Sequence, residues 1–121
     1  MTRFSIPGHL PSRANQRVHW SKAQKRARLQ RSTACGYTLA AMGTQLQPRR
    51  PVLVRMTRVS PRLLDDDNLQ GAFKSMRDGI ADAFRVDDSP SGPITWEYGQ
   101  RRGKVARAEI EIGEPDGLHD A

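Results

Sequence analysis

At 121 residues, 36% hydrophobic content and a net charge of +7, the chain has enough apolar material for one domain with a modest core and too little for two. No apolar run approaches the ~20 residues that span a bilayer, the start Met1-Thr2-Arg3-Phe4 has no secretory apolar stretch, and Cys35 is the single cysteine, which together exclude a membrane span, an internal disulfide and a Cys-rich zinc site and predict a soluble cytoplasmic protein. The charge is divided along the chain, with 13 Lys and Arg and no acid in residues 1–64 against 7 basic and 13 acidic residues in 65–121.

Phe4 and Ile6 alternate before Pro7-Gly8, which predicts a short strand ending in a turn. Residues 11–20 read as an extended loop. Ser21 caps a predicted helix running to about Met42, and Lys22, Lys25, Arg26, Arg28 and Arg31 fall in its first turns. Cations there oppose the helix dipole, so an external anion such as a phosphate backbone is the complementary partner. The bland alternative is a solvated basic face.

After a linker over residues 43–50, Val52, Val54 and Met56 alternate with Leu53, Arg55, Thr57 and Val59 as a strand that Ser60-Pro61 ends. Leu69, Ala72, Phe73, Met76, Ile80, Ala83 and Phe84 then recur at the spacing of one buried helical face. Asp67, Gly71, Lys74 and Asp78 share the opposite, exposed stripe. Residues 87–92 read as a loop, 94–98 as a strand and 99–103 as a basic turn. Residues 105–112 alternate again, and these last two strands are expected to pair as a hairpin. The tail, residues 113–121, is expected to fray, and no internal repeat is present.

The acidic residues carry the chemistry. Asp65, Asp66 and Asp67 open the helix together, and adjacent carboxylates repel unless a helix N-terminus, nearby cations or a bound metal compensates them. Hard divalent cations on carboxylate oxygens suit phosphoryl chemistry, since they neutralise a phosphate and polarise a water. Helix capping is the plain alternative for this cluster. Asp87 and Asp88 lie about 20 residues on, at the far end of a helix that would span ~25 Å. Two routes join the clusters: a bend at Gly79, or supply of Asp87 and Asp88 from a second subunit. His9, His19 and His119 have no partner at metal-ligand spacing.

Asp65-x-Asp67-Asn68-Leu69-Gln70, an apolar helix, Asp87-Asp88 and a short strand together resemble the RusA family of Holliday junction resolvases, common in phages and prophages. The opening Pro11-Ser12-x-x-Asn15, followed by basic and aromatic residues, is similar to that family's N-terminal segment. The resemblance implies a homodimeric, Mg2+-dependent endonuclease, with Mn2+ as a substitute ion, that cuts paired strands of four-way DNA junctions. It implies a small α/β (α+β) domain, a mixed sheet packed against two main helices. It places metal binding and catalysis on Asp65, Asp67 and Asp88, with Asp87 the alternative for the third position. The family's functional lysine falls at Gly71 here, and Lys74, one turn further on, is its substitute. The family's basic residue before the first Asp falls at Leu64, and Arg62 stands in for it. The spacing from the first to the second acidic pair is about two residues longer here. Arg13, Asn15, Arg17, Lys22, Lys25, Arg26, Arg28 and Arg62 are the expected DNA contacts, and His19 or Trp20 a stacking residue. The alternatives are a non-catalytic nucleic-acid-binding protein and an inactive junction-binding relative.

Overall fold

The computed structural model describes residues 2–8, 10, 20–43, 51–85 and 93–114. In chain order its elements are β1 (Thr2–Pro7), α1 (Trp20–Met42), β2 (Val52–Ser60), α2 (Asp66–Ala72), α3 (Lys74–Phe84), β3 (Ile94–Arg102) and β4 (Arg107–Gly113). The four strands form one mixed sheet in the order β1-β4-β2-β3, with β2 parallel to β3 and β4 antiparallel to both β1 and β2. The fold is a small α+β domain, as expected.

The strand alternation assigns the faces. Ile6, Val54, Met56, Ile94, Ala108, Ile110 and Ile112 point one way and close a core with Ala34 of α1 and with Leu69, Phe73, Met76, Ile80 and Phe84 of α2 and α3. The helices therefore cover a single face. Across the other face runs a row of alternating charge, Arg3, Glu111, Arg55 and Glu97, one residue from each strand in register. Its contacts are 3.5 Å from Arg3 to Glu111, 3.9 Å from Glu111 to Arg55 and 3.1 Å from Arg55 to Glu97. Such opposite-charge neighbours let the face of the mixed sheet that the helices leave uncovered meet water.

The expected hairpin does not form. β2 lies between β3 and β4, its backbone paired with both, and Leu53, Val54, Met56, Val59 and Ser60 are buried in this central strand. The β3–β4 connection arcs over the end of β2, where the Gly103 N–H donates to the Ser60 carbonyl at 3.2 Å. A Cβ on Gly103 would lie 2.5 Å from Val59 Cγ1, so the arc requires glycine. β3 also extends to Arg102 rather than stopping at Tyr98, and Gly113 pairs with Leu53 as the end of β4.

The predicted single helix after Asp65 is two helices that meet at Phe73, not at Gly79. Phe73 has φ −88° and ψ −6°, its N–H donates to Gln70 O at 3.2 Å, and its ring is buried with its centroid 5.9 Å from that of Tyr98. Gly79 sits inside α3 for another reason. A Cβ there would run into the Arg31 carbonyl oxygen and come within 2.9 Å of Ala34 Cβ, so its lack of a side chain lets α1 and α3 touch. Arg31 then clasps Asp82 with two hydrogen bonds of 2.6 and 2.8 Å. Ala34 meets Gly79, while Thr38 and Met42 share a cleft with Ala83 and Phe84, so α1 and α3 run parallel. The N-terminal half of α1 thus lies toward the end of the molecule where α2 and Asp65 stand.

Candidate nucleic-acid and metal site

Residues 61–65 leave β2 and are pinned before the acidic cluster begins. The Gln100 side chain on β3 pairs with the Leu64 backbone in both directions, accepting from its N–H at 2.9 Å and donating to its carbonyl at 2.5 Å. From β2, the guanidinium of Arg58 donates to Leu10 O at 2.9 Å and to Arg62 O at 2.7 Å. Arg58 is 2% exposed, and burial pulls its guanidinium below its ordinary pKa. Neutral carbonyls solvate this buried charge, which makes the two bonds charge-assisted and stronger than ordinary ones. A rigid lead-in follows, with Asp65 at its end.

Asp65 holds the N-cap position of α2 in an extended conformation (φ −71°, ψ 161°), yet its carboxylate caps no backbone N–H. Oδ1 instead accepts from Asn68 Nδ2 at 2.7 Å. Asp66 and Asp67 occupy the first turn, exposed, and neither has a hydrogen-bond or ion-pair partner among the described residues. Helix capping therefore does not consume the cluster. Oxygen donors from one or two carboxylates are what Mg2+ takes when substrate phosphate completes its shell, and Asp65 and Asp67 fit that donor chemistry. Among the described residues no three His, Cys, Asp or Glu side chains converge as a metal-binding group.

Asp87 and Asp88 lie outside the described residues. Pro93, which follows them, accepts from the Val52 N–H at 2.9 Å and so stands where β2 begins, whereas Asp65 stands beyond its end. Between the two, α2 and α3 carry the chain back over residues 66–84. No break occurs at Gly79; the helices break at Phe73 instead.

Lys74 opens α3 on the exposed stripe and lies 3.8 Å from Asp78. Exposed pairs of this kind contribute at most ~1 kcal/mol, so its ammonium is available to a phosphate at little cost. Lys22, Lys25, Arg26 and Arg28 all project from α1, in a stretch where no residue from 21 to 33 is buried, and none has an ion-pair partner among the described residues. Arg62 is exposed beside Asp65. Arg13, Asn15, Arg17 and His19 lie outside the described residues, as does the side chain of Trp20.

Two residues were not among the expected DNA contacts. Arg102 leaves β3 on the same face as Gln100, paired in register with Ser60, and Lys104 follows Gly103, which is bonded to Ser60. Both are exposed, without an ion-pair partner among the described residues, at the end of the sheet that carries Asp65. The sequence held one signal for them, the clustered Arg101-Arg102-x-Lys104, but not its position. Arg101, by contrast, turns to the open sheet face, where it clasps Glu109 through two contacts, the longer 2.6 Å.

No family model matches the chain. A protein of Xylella fastidiosa (strain Temecula1 / ATCC 700964), described as uncharacterized, is 39% identical over 102 residues, covering 75% of this chain. The chain spans 63% of that relative's length.

Proposed function

We propose that the chain is a divalent-metal-dependent endonuclease acting on branched DNA, with the four-way junction as its substrate. One observation carries the reading: a turn braced by Gln100 and Arg58 presents Asp65 and Asp67, unused as helix caps, at the end of the sheet toward which Arg62, Arg102, Lys104 and the basic half of α1 also lie. Carboxylates and cations at one place serve a phosphodiester better than either alone. The cations hold flanking phosphates and contribute affinity without sequence preference.

Asp65 and Asp67 would hold Mg2+, or Mn2+ in its place, which when bound neutralises the scissile phosphate and acidifies a water. Asn68 fixes the rotamer of Asp65 through its amide. Lys74 exchanges Asp78 for a phosphate oxygen as negative charge develops. A third carboxylate, Asp88 with Asp87 as the alternative, is supplied by a second copy of the chain, a route favoured because Pro93 stands at the opposite end of β2 from Asp65. A twofold protein also matches a substrate that needs two symmetric cuts.

The test is cleavage of a labelled four-way junction, against linear duplex, with Mg2+ or EDTA. Wild type should nick the junction in opposed strands only with the metal. Asp67→Asn should lower the rate by at least ~100-fold, the scale of losing a metal-positioning group, and bind the junction as well or better, since it removes a negative charge beside phosphate. Binding without any metal-dependent cut would favour a non-catalytic junction-binding protein, a reading that Gly71 at the lysine position supports.

A further inference from the structure

Five large hydrophobic residues are exposed among the described residues; three, Leu29, Tyr37 and Leu39, lie on α1. The other two, Leu63 at 47% and Val105 at 69% exposure, both stand at the carboxylate end of the sheet. Leu63 belongs to the braced segment between Arg62 and Leu64, and Val105 to the arc that Gly103 ties to Ser60. Isolated exposed apolar side chains are ordinary. Two on turns tied to the same end of the sheet, next to the cations Arg62, Arg102 and Lys104, which have no ion-pair partner among the described residues, are a different arrangement. Apolar side chains flanked by phosphate-holding cations are the chemistry of wedges that enter a base step and unstack it.

We infer that residues 62–63 and 102–105 form a branch-point wedge, in which Leu63 and Val105 pack against the unstacked bases at the centre of a junction while Arg62, Arg102 and Lys104 hold the phosphates on either side. This inference rests on the proposed action on branched DNA and names what distinguishes a branch from a duplex. A continuous duplex must break stacking to admit the wedge. Bases at a branch have already lost part of that stacking, so the wedge favours the junction. Its firmness comes from Gln100, Arg58 and Gly103, which hold both turns to the strand ends.

The experiment uses a junction carrying 2-aminopurine at the branch, titrated with protein in EDTA so that no cut occurs. Wild type should raise the fluorescence at least twofold as the base unstacks. Leu63→Ser/Val105→Ser, both surface changes, should melt within a few degrees of wild type, lose that rise and lower the preference for junction over duplex about tenfold while binding duplex normally. Arg102→Gln/Lys104→Gln should lower affinity for both DNAs and reduce the salt slope by about two, near 0.9 for each phosphate that is no longer neutralised. Unchanged fluorescence and preference in the serine variant would overturn the wedge, as would a serine variant whose only defect is loss of a dimer. Failure of wild type to bind either DNA would instead overturn the functional reading beneath it.

Discussion

Glu109 shows how one carboxylate holds the open face of the sheet. A hydrogen bond from Arg101 is the main cause that draws its pKa below the ordinary value of 4.5, with Arg107 adding to it and burial opposing it. Because the folded-state value is depressed, the stabilisation is complete above the ordinary glutamate range and is lost as pH falls through the depressed value. Wild type should therefore melt higher than Glu109→Gln at pH 7, and the two melting curves should converge as the pH falls through the depressed value, which a thermal melt series across pH records. A constant difference down to low pH would show that the effect of Glu109→Gln does not come from the charge of the carboxylate. Arg58 works in the other direction of solvent access, a buried cation whose neutral carbonyl partners tie the Leu10 segment to the turn before Asp65.

At the scale of elements, the contact between α1 and α3 depends on Gly79 more than on apolar area, since α1 buries only Ala34 and Thr38 among its described side chains. Gly79→Ala would gain helix propensity but forces the helices apart at the Arg31 carbonyl. The overpacking term should win, lowering stability by about 1–3 kcal/mol in urea unfolding. A stabilised variant would mean that α1 rides on α3 without a fixed seat. The break at Phe73 follows similar logic. Its ring is fully buried near Tyr98, and a turn of the backbone is the means by which one side chain reaches the core.

At the scale of the whole molecule, the proposal requires two copies for each reactive site. Asp67→Asn and Asp88→Asn should each be inactive alone. Mixed and allowed to exchange subunits, they should recover up to about a quarter of wild-type junction cleavage, since half of random dimers are mixed and each mixed dimer keeps one intact site. No recovery on mixing, with exchange verified by mass, would place all the carboxylates within one chain and overturn the shared site.

The sequence alone determined the elements whose signal is local. Strand alternation marked β1, β2 and β4, the apolar stripe from Leu69 to Phe84 marked the core face of α2 and α3, and the basic first turns marked α1, all because these patterns are written residue by residue. The Asp65–Asp67 cluster was legible for the same reason. Tertiary structure decided what depends on distant partners. It inserted β2 between β3 and β4, because the backbone groups along both edges of a central strand pair with partners far away in the chain. It moved the helix break from Gly79 to Phe73, because Gly79 meets another helix and Phe73 seeks the core. It also brought Arg102, Lys104 and Val105 to the carboxylate end, through bonds from Gln100 and Gly103 to residues some 40 positions away. No window along the chain contains that proximity, because it arises from the path of the strands.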